Sequence, residues 1–168
     1  MSVYDTIRTM LAVREYDNRP IPEEVVQRIV EAGRLTGSSM NGQPWHFVVV
    51  QDPETLRRIG ELSGHGPYIA QAPLAIAIVI DASRFGVSDA SRAVQDMLLT
   101  AWEEGIGGNW VGFGGMEDIK ELLGIPGELQ LLAILPFGYP AKAVGQGKKR
   151  RKPLAEIAHR EQWGTPFA

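Results

Sequence analysis

Residues 74–80 read Leu74-Ala75-Ile76-Ala77-Ile78-Val79-Ile80, seven apolar residues without a polar interruption. A strand with one wet face alternates polar and apolar positions, so this run is too apolar for a sheet edge and predicts a central strand. The rest of the chain has to be arranged around it. At 168 residues that means one core and a single domain over residues 1–168.

Other elements follow from punctuation and period. Ser2 and Asp5 resemble a capping box ahead of Val3, Ile7, Met10 and Leu11, predicting a helix over 3–12. Pro22 and the stripe Val25, Val26, Ile29, Val30 and Leu35 predict a second over 23–35. The run Trp45 to Val50 reads as a strand, and Asp52-Pro53 opens a helix carrying Leu56, Ile59 and Leu62. Ser88 is placed to cap a helix over 89–104, whose apolar face of Val94, Met97, Leu98, Ala101 and Trp102 is broad enough for burial on more than one side. A helix over 116–123 and a strand over 129–135 follow, and the tail from Pro136 onward has little periodicity until Leu154 to Ala158. By pattern alone, strands alternating with helices from residue 45 onward predict a parallel, doubly wound sheet.

Composition removes several chemistries. With no cysteine and three histidines, His46, His65 and His159, at no ligand spacing, the chain offers no thiolate or imidazole metal cage and no cysteine nucleophile. It also has no nucleophile elbow and no Walker loop. Difficult chemistry would need an imported cofactor. The start lacks the basic and apolar regions of a signal peptide and no apolar run is long enough for a membrane span, so a cytoplasmic protein without membrane contact is expected. Five of the 17 lysines and arginines lie in Lys148-Lys149-Arg150-Arg151-Lys152, against 20 acidic residues overall. One cluster on an acidic body suits a small anion better than nucleic acid, which calls for cations spread over a face.

Three segments are candidates for ligand binding. Residues 37–46 supply hydroxyls, amides and backbone N–H groups suited to a polar planar ligand, although an Asn-Gly turn without a ligand is the simpler reading. The basic run could clamp a phosphate, with Arg14 joining from the other end of the chain, or be a solvated tail. Residues 107–115 contain five glycines, which allow a flat ligand to approach the backbone, but they flank an apolar piece and also fit a bulged strand.

Taken in order, Val13-Arg14-Glu15-Tyr16, Ser38-Ser39-Met40-Asn41-Gly42-Gln43-Pro44-Trp45, Gly105 to Gly112, and the basic run with Pro153-Leu154 resemble the flavin-dependent nitroreductase family over nearly the whole chain. The resemblance implies an α+β, three-layer sandwich with a mixed, mainly antiparallel sheet flanked by helices, in an intertwined homodimer with composite FMN sites. It implies an oxidoreductase that passes hydride from NAD(P)H through flavin N5 to an electron-poor small molecule, a nitroaromatic or quinone, by a ping-pong mechanism. A flavin sensor or carrier without efficient turnover is the alternative. Residue by residue, it implies that Arg14 contacts the phosphate–ribityl or pyrimidine side of FMN and that Lys149 and Arg151 bind its phosphate. Ser38, Ser39 and Asn41, with Gln43 beside them, would contact the flavin from the partner subunit. The backbone around Gly112 and Phe113 would approach N5. No side chain is expected to act as a catalytic acid or base. Met10, Leu11 and Ala12 stand where the family often has an arginine-rich, serine-containing phosphate motif and Gly37 replaces its usual proline, which predicts weaker FMN binding or more reliance on Lys148 to Arg151; Arg8 could compensate, from a shifted register. The helical excursion that covers the substrate pocket is expected to be reduced.

Overall fold

A computed structural model describes residues 2–112, 114–144 and 149–167. Its elements are α1 (Val3–Thr9), α2 (Glu23–Arg34), β1 (Trp45–Val50), α3 (Pro53–Leu62), β2 (Leu74–Ile80), α4 (Gly86–Glu103), β3 (Gly107–Gly108), α5 (Met116–Leu122) and β4 (Gln130–Gly138). The sheet order is β1-β2-β4-β3. β2 is central, as its composition requires, and every one of its residues is buried.

The two faces of β2 serve different layers. Leu74, Ile76, Ile78 and Ile80 point toward α2 and α4, packing with Ile29, Val94 and Met97. Ala75, Ala77 and Val79 point the other way, onto Leu56 and Ile59 of α3 and Ile119 of α5. Helices therefore cover both faces of the sheet, and each buried isoleucine contributes about 1.5–3 kcal/mol by leaving water. In β4 an extra residue, Leu132, interrupts the ladder between Ile78↔Ala133 and Val79↔Leu131. With this bulge Leu131 and Ile134 fall on the α3 side while Ala133 and Leu135 fall on the α2 side.

All named strands pair antiparallel, and the one parallel contact among the described residues is the isolated bridge Ala12↔Gly108. The doubly wound expectation is thus overturned in favour of the antiparallel α+β sandwich. The reason lies in residues 63–71: after α3 the chain turns back and a 3-10 turn, Pro67–Gln71, packs on that helix, where a β-carbon on Gly60 would lie 2.8 Å from Ala70 N. The excursion returns to the end of the sheet it left, so β2 must run opposite to β1.

Element ends shift for local reasons. α1 stops at Met10, whose backbone is extended, because Val13 N–H donates to Gly108 O at 3.1 Å and strings residues 12–13 along the sheet edge. α4 starts at Gly86 rather than after Ser88, whose hydroxyl instead donates to Phe85 O within the first turn at 3.0 Å. β4 passes through Pro136, opposite Ala75, and continues to Gly138, which pairs with Gly107. The broad apolar face of α4 is largely covered within the chain: Met97 packs on Gly33, Leu98 on Gly108, and Trp102 against Val13 and Tyr16.

Candidate functional site

Residues 38–43 form a tight loop at the N-terminal end of α4. Met40, Asn41 and Gln43 all have left-handed backbones, with φ of 53°, 55° and 47°. Non-glycine residues adopt this region seldom, and three in four positions persist only where other contacts hold them. Those contacts are polar. Ser38 Oγ accepts from Gln43 N–H at 3.0 Å, Gln43 Nε2 donates to Asn41 Oδ1 at 3.3 Å, and Ser39 binds Asp89 twice, through its N–H and its Oγ, each at 3.0 Å. Asp89 is 1% exposed and also pairs with Arg92. Burial pushes its pKa up, but the Ser39 contacts and Arg92 outweigh that and hold it below the usual carboxylate value. Ser38 and Ser39 are half-buried, while Asn41 and Gln43 are exposed.

Lys149 and Arg151 lie elsewhere, in a cleft of about 460 Å³ lined also by Tyr4, Ile7 and Arg8. Lys149 Nζ donates to Ile7 O, which ties the basic segment to α1. Burial, and then the nearby Arg151, lower the Lys149 pKa. Among the described residues neither Lys149 nor Arg151 pairs with a carboxylate, whereas Arg8 is 3.4 Å from Asp5. Arg8, out of register with the sequence motif, thus reaches the same cleft as the two expected phosphate ligands.

Arg14 is not in that cleft. It is exposed along a shallow groove with Ala12, Pro140 and Lys142, where Lys142 is committed to Glu15 at 2.6 Å. Gly112 follows the bridge between Val111 and Ile134 and is half-buried; its N–H makes no hydrogen bond to a described residue. A β-carbon there would lie 2.7 Å from Trp110 Nε1. Phe113 and Lys148 fall outside the described residues. Gly107 and Gly108 are accounted for by packing, since β-carbons there would meet Val13 at 2.2 Å and Leu98 at 2.7 Å.

The loop and the cation cleft are at opposite ends of α4. Asp89, in its first turn, holds Ser39, and Trp102, in its last, donates from Nε1 to Thr9 Oγ1 on α1 at 3.1 Å. The helix between these two residues rises about 20 Å. Within one chain the loop and α1, which lines the cation cleft, are therefore fastened to different ends of α4.

Asp89 escaped the sequence, because its burial depends on a loop fifty positions earlier. Arg8, a candidate to compensate for the altered motif from a shifted register, lies in the cleft with Lys149 and Arg151. A separate groove between α1, α2 and α4, lined by Val3, Leu35, Leu99, Asp96 and Glu103, has no cation and none of the expected residues. Among the described residues no group of three or more His, Asp or Glu is placed to hold a metal, and no helix is long and apolar enough to cross a membrane.

Comparison with known proteins agrees with this fold. Residues 7–81 and 64–139 match the nitroreductase family. A protein of Methanothermobacter thermautotrophicus provisionally named NADH dehydrogenase/NAD(P)H nitroreductase is 36% identical over 154 residues, 86% of this chain and 81% of that one. The FMN reductase [NAD(P)H] of Bacillus subtilis is 29% identical, over 90% of this chain and 70% of its own. The structure of the NADPH:FMN oxidoreductase from Vibrio harveyi in complex with NAD+ superposes with a TM-score of 0.84 at 26% identity, covering 96% of this chain and 77% of that one. With its antiparallel sandwich, its polar loop before β1 and a family match across most of its length, the chain belongs to the nitroreductase family.

Proposed function

We propose that this protein is an FMN-dependent oxidoreductase that uses NAD(P)H to reduce an electron-poor small molecule, a nitroaromatic or quinone. The observation that carries the reading is the cleft in which Lys149 and Arg151, with no carboxylate partner among the described residues, stand beside Arg8. Lys149 and Arg151, held together with a third cation whose own partner is the partly exposed Asp5, favour a dianionic phosphate, and Arg adds a forked donor set to the point charge of Lys. The residues present therefore fit FMN. Bound FMN supplies hydride transfer at N5, from NAD(P)H and then to the acceptor in a ping-pong sequence.

The chain's own residues do the rest. Lys149, Arg151 and Arg8 hold the phosphate, and Arg14 supports the ribityl or pyrimidine side. Ser38, Ser39, Asn41 and Gln43 present neutral donors and acceptors to the ring system, which orient it without a competing charge. Gly112 lets the backbone approach N5 and offers an N–H that no described residue accepts, and Phe113 is the next residue in the sequence. The distance between the half-sites along α4 favours a homodimer in which the loop of one subunit completes the cation cleft of the other.

The test is to load the purified protein with FMN, desalt it, and record its visible spectrum before and after anaerobic addition of NADH or NADPH. Retained flavin that bleaches, followed by parallel steady-state lines as the acceptor is varied, is the expected outcome. Retained flavin that stays oxidised with both donors would favour a carrier or sensor, and complete loss of flavin would remove the FMN reading.

A further inference from the structure

We propose that Asp89 is the positioning residue of the flavin-facing loop: it sets the left-handed conformation of Met40, Asn41 and Gln43 through Ser39, and so fixes where Asn41 and Gln43 meet the ring. The inference rests on the FMN reading above and adds to it a residue that does not touch the cofactor.

The loop cannot owe its shape to apolar burial. Met40, at its tip, is 90% exposed, and Asn41, Gly42 and Gln43 are exposed as well. Its three strained residues must be held by polar contacts, and among the described residues one side chain, that of Asp89, supplies them from outside the loop's own sequence. Asp89 Oδ2 accepts the Ser39 N–H and Asp89 Oδ1 accepts the Ser39 hydroxyl, each at 3.0 Å. A carboxylate at 1% exposure is tolerated only if its oxygens are satisfied, and the Ser39 pair together with Arg92 satisfies them. Strain and burial thus need each other. The loop keeps its shape because the carboxylate is there, and the carboxylate is soluble in the interior because the loop is there.

Position adds to the argument. Asp89 stands in the first turn of α4, the helix that carries the buried contacts Ala90, Val94, Met97 and Ala101 onto β2 and α2. The loop is therefore referenced to a helix packed into the core rather than to another loop. The downstream anchor is equally firm: Asp81 N–H donates to Pro44 O at 3.0 Å where β1 begins.

The test uses Asp89→Asn, which keeps the shape but has one acceptor oxygen instead of two. In the flavin-free protein, the Ser39 and Gln43 amides should exchange with solvent about tenfold faster or more, while amides of β2 are unchanged. FMN and riboflavin should both bind more weakly, by a similar factor of about ten, because the defect lies at the ring and not at the phosphate. A merely structural Asp89 would lower the melting temperature and leave the affinities of the folded protein intact. Unchanged exchange, or unchanged affinity in a D89N protein whose parent binds FMN, overturns the role of Asp89 alone. A parent protein that binds no FMN overturns the flavin reading and this one with it. If D89N does not fold, Ser39→Ala removes one of the two contacts without altering the charge, and faster exchange at the Gln43 amide is the expected result; an unchanged rate overturns the proposal.

Discussion

Val13 and Gly107 approach so closely that a β-carbon on Gly107 would lie 2.2 Å from Val13 Cγ2. The segment after α1 is thereby pressed onto the sheet edge, with Val13 buried beside Tyr16. Gly107→Ala should destabilise the protein by about 2 kcal/mol or more, within the range of overpacked sites. Gly37→Ala, where no atom lies within 4 Å of the added carbon, should stay within about 0.5 kcal/mol of the parent. Denaturant unfolding of the two variants checks both values.

Removing the cations should separate two ligands that differ by one phosphate. Lys149→Ala, Arg151→Ala and Arg8→Ala should each weaken FMN binding by about tenfold while leaving riboflavin binding nearly unchanged. Fluorescence titration of the apoprotein with each flavin reads the difference. Equal losses for both would place these residues away from the phosphate.

Alkaline pH should act on the same end. Burial and Arg151 lower the Lys149 pKa, so its ammonium is present below that value and lost as pH rises through it, earlier than for an ordinary lysine. The phosphate is already dianionic above neutrality, its second pKa being about 6. FMN affinity should therefore fall on the alkaline side and riboflavin affinity should not. Lys149→Arg, which keeps its charge, should flatten the FMN profile.

Subunit mixing addresses the composite site. If the loop of one subunit serves the cleft of the other, unfolding and refolding Lys149→Ala and Asn41→Ala proteins together creates mixed dimers with one intact site of two. At an FMN concentration that loads the parental site but leaves the weakened sites mostly empty, random pairing then restores about a quarter of the parental activity from two poorly active partners. No recovery would indicate that each chain closes its own site.

Strand identity was legible in the sequence where composition leaves one solution. β1 and β2 have the ends expected from their apolar runs, and Asp52 caps α3 by accepting from Thr55 N–H at 2.8 Å. Ser2 likewise accepts from Asp5 N–H at 3.1 Å, as the capping box requires. Strand direction was not legible, because it depends on the Pro67–Gln71 turn doubling back on α3, a contact between segments with no shared pattern. The same limit applies to the site. Ser38, Asn41 and Lys149 stand out by residue type, but their separation by the length of α4, and the link from Ser39 to Asp89, come from tertiary packing alone.

The 18 residues of α4 also work as a ruler. Each residue of an α-helix adds 1.5 Å of length and about 100° of rotation. A one-residue insertion between Asp89 and Trp102 would therefore lengthen the span only slightly, yet turn one end well away from its partner, so that Ser39 and Thr9 could not both be reached. Homologous chains with the same two contacts should vary freely in the loops around this helix and hold the interval between its ends constant.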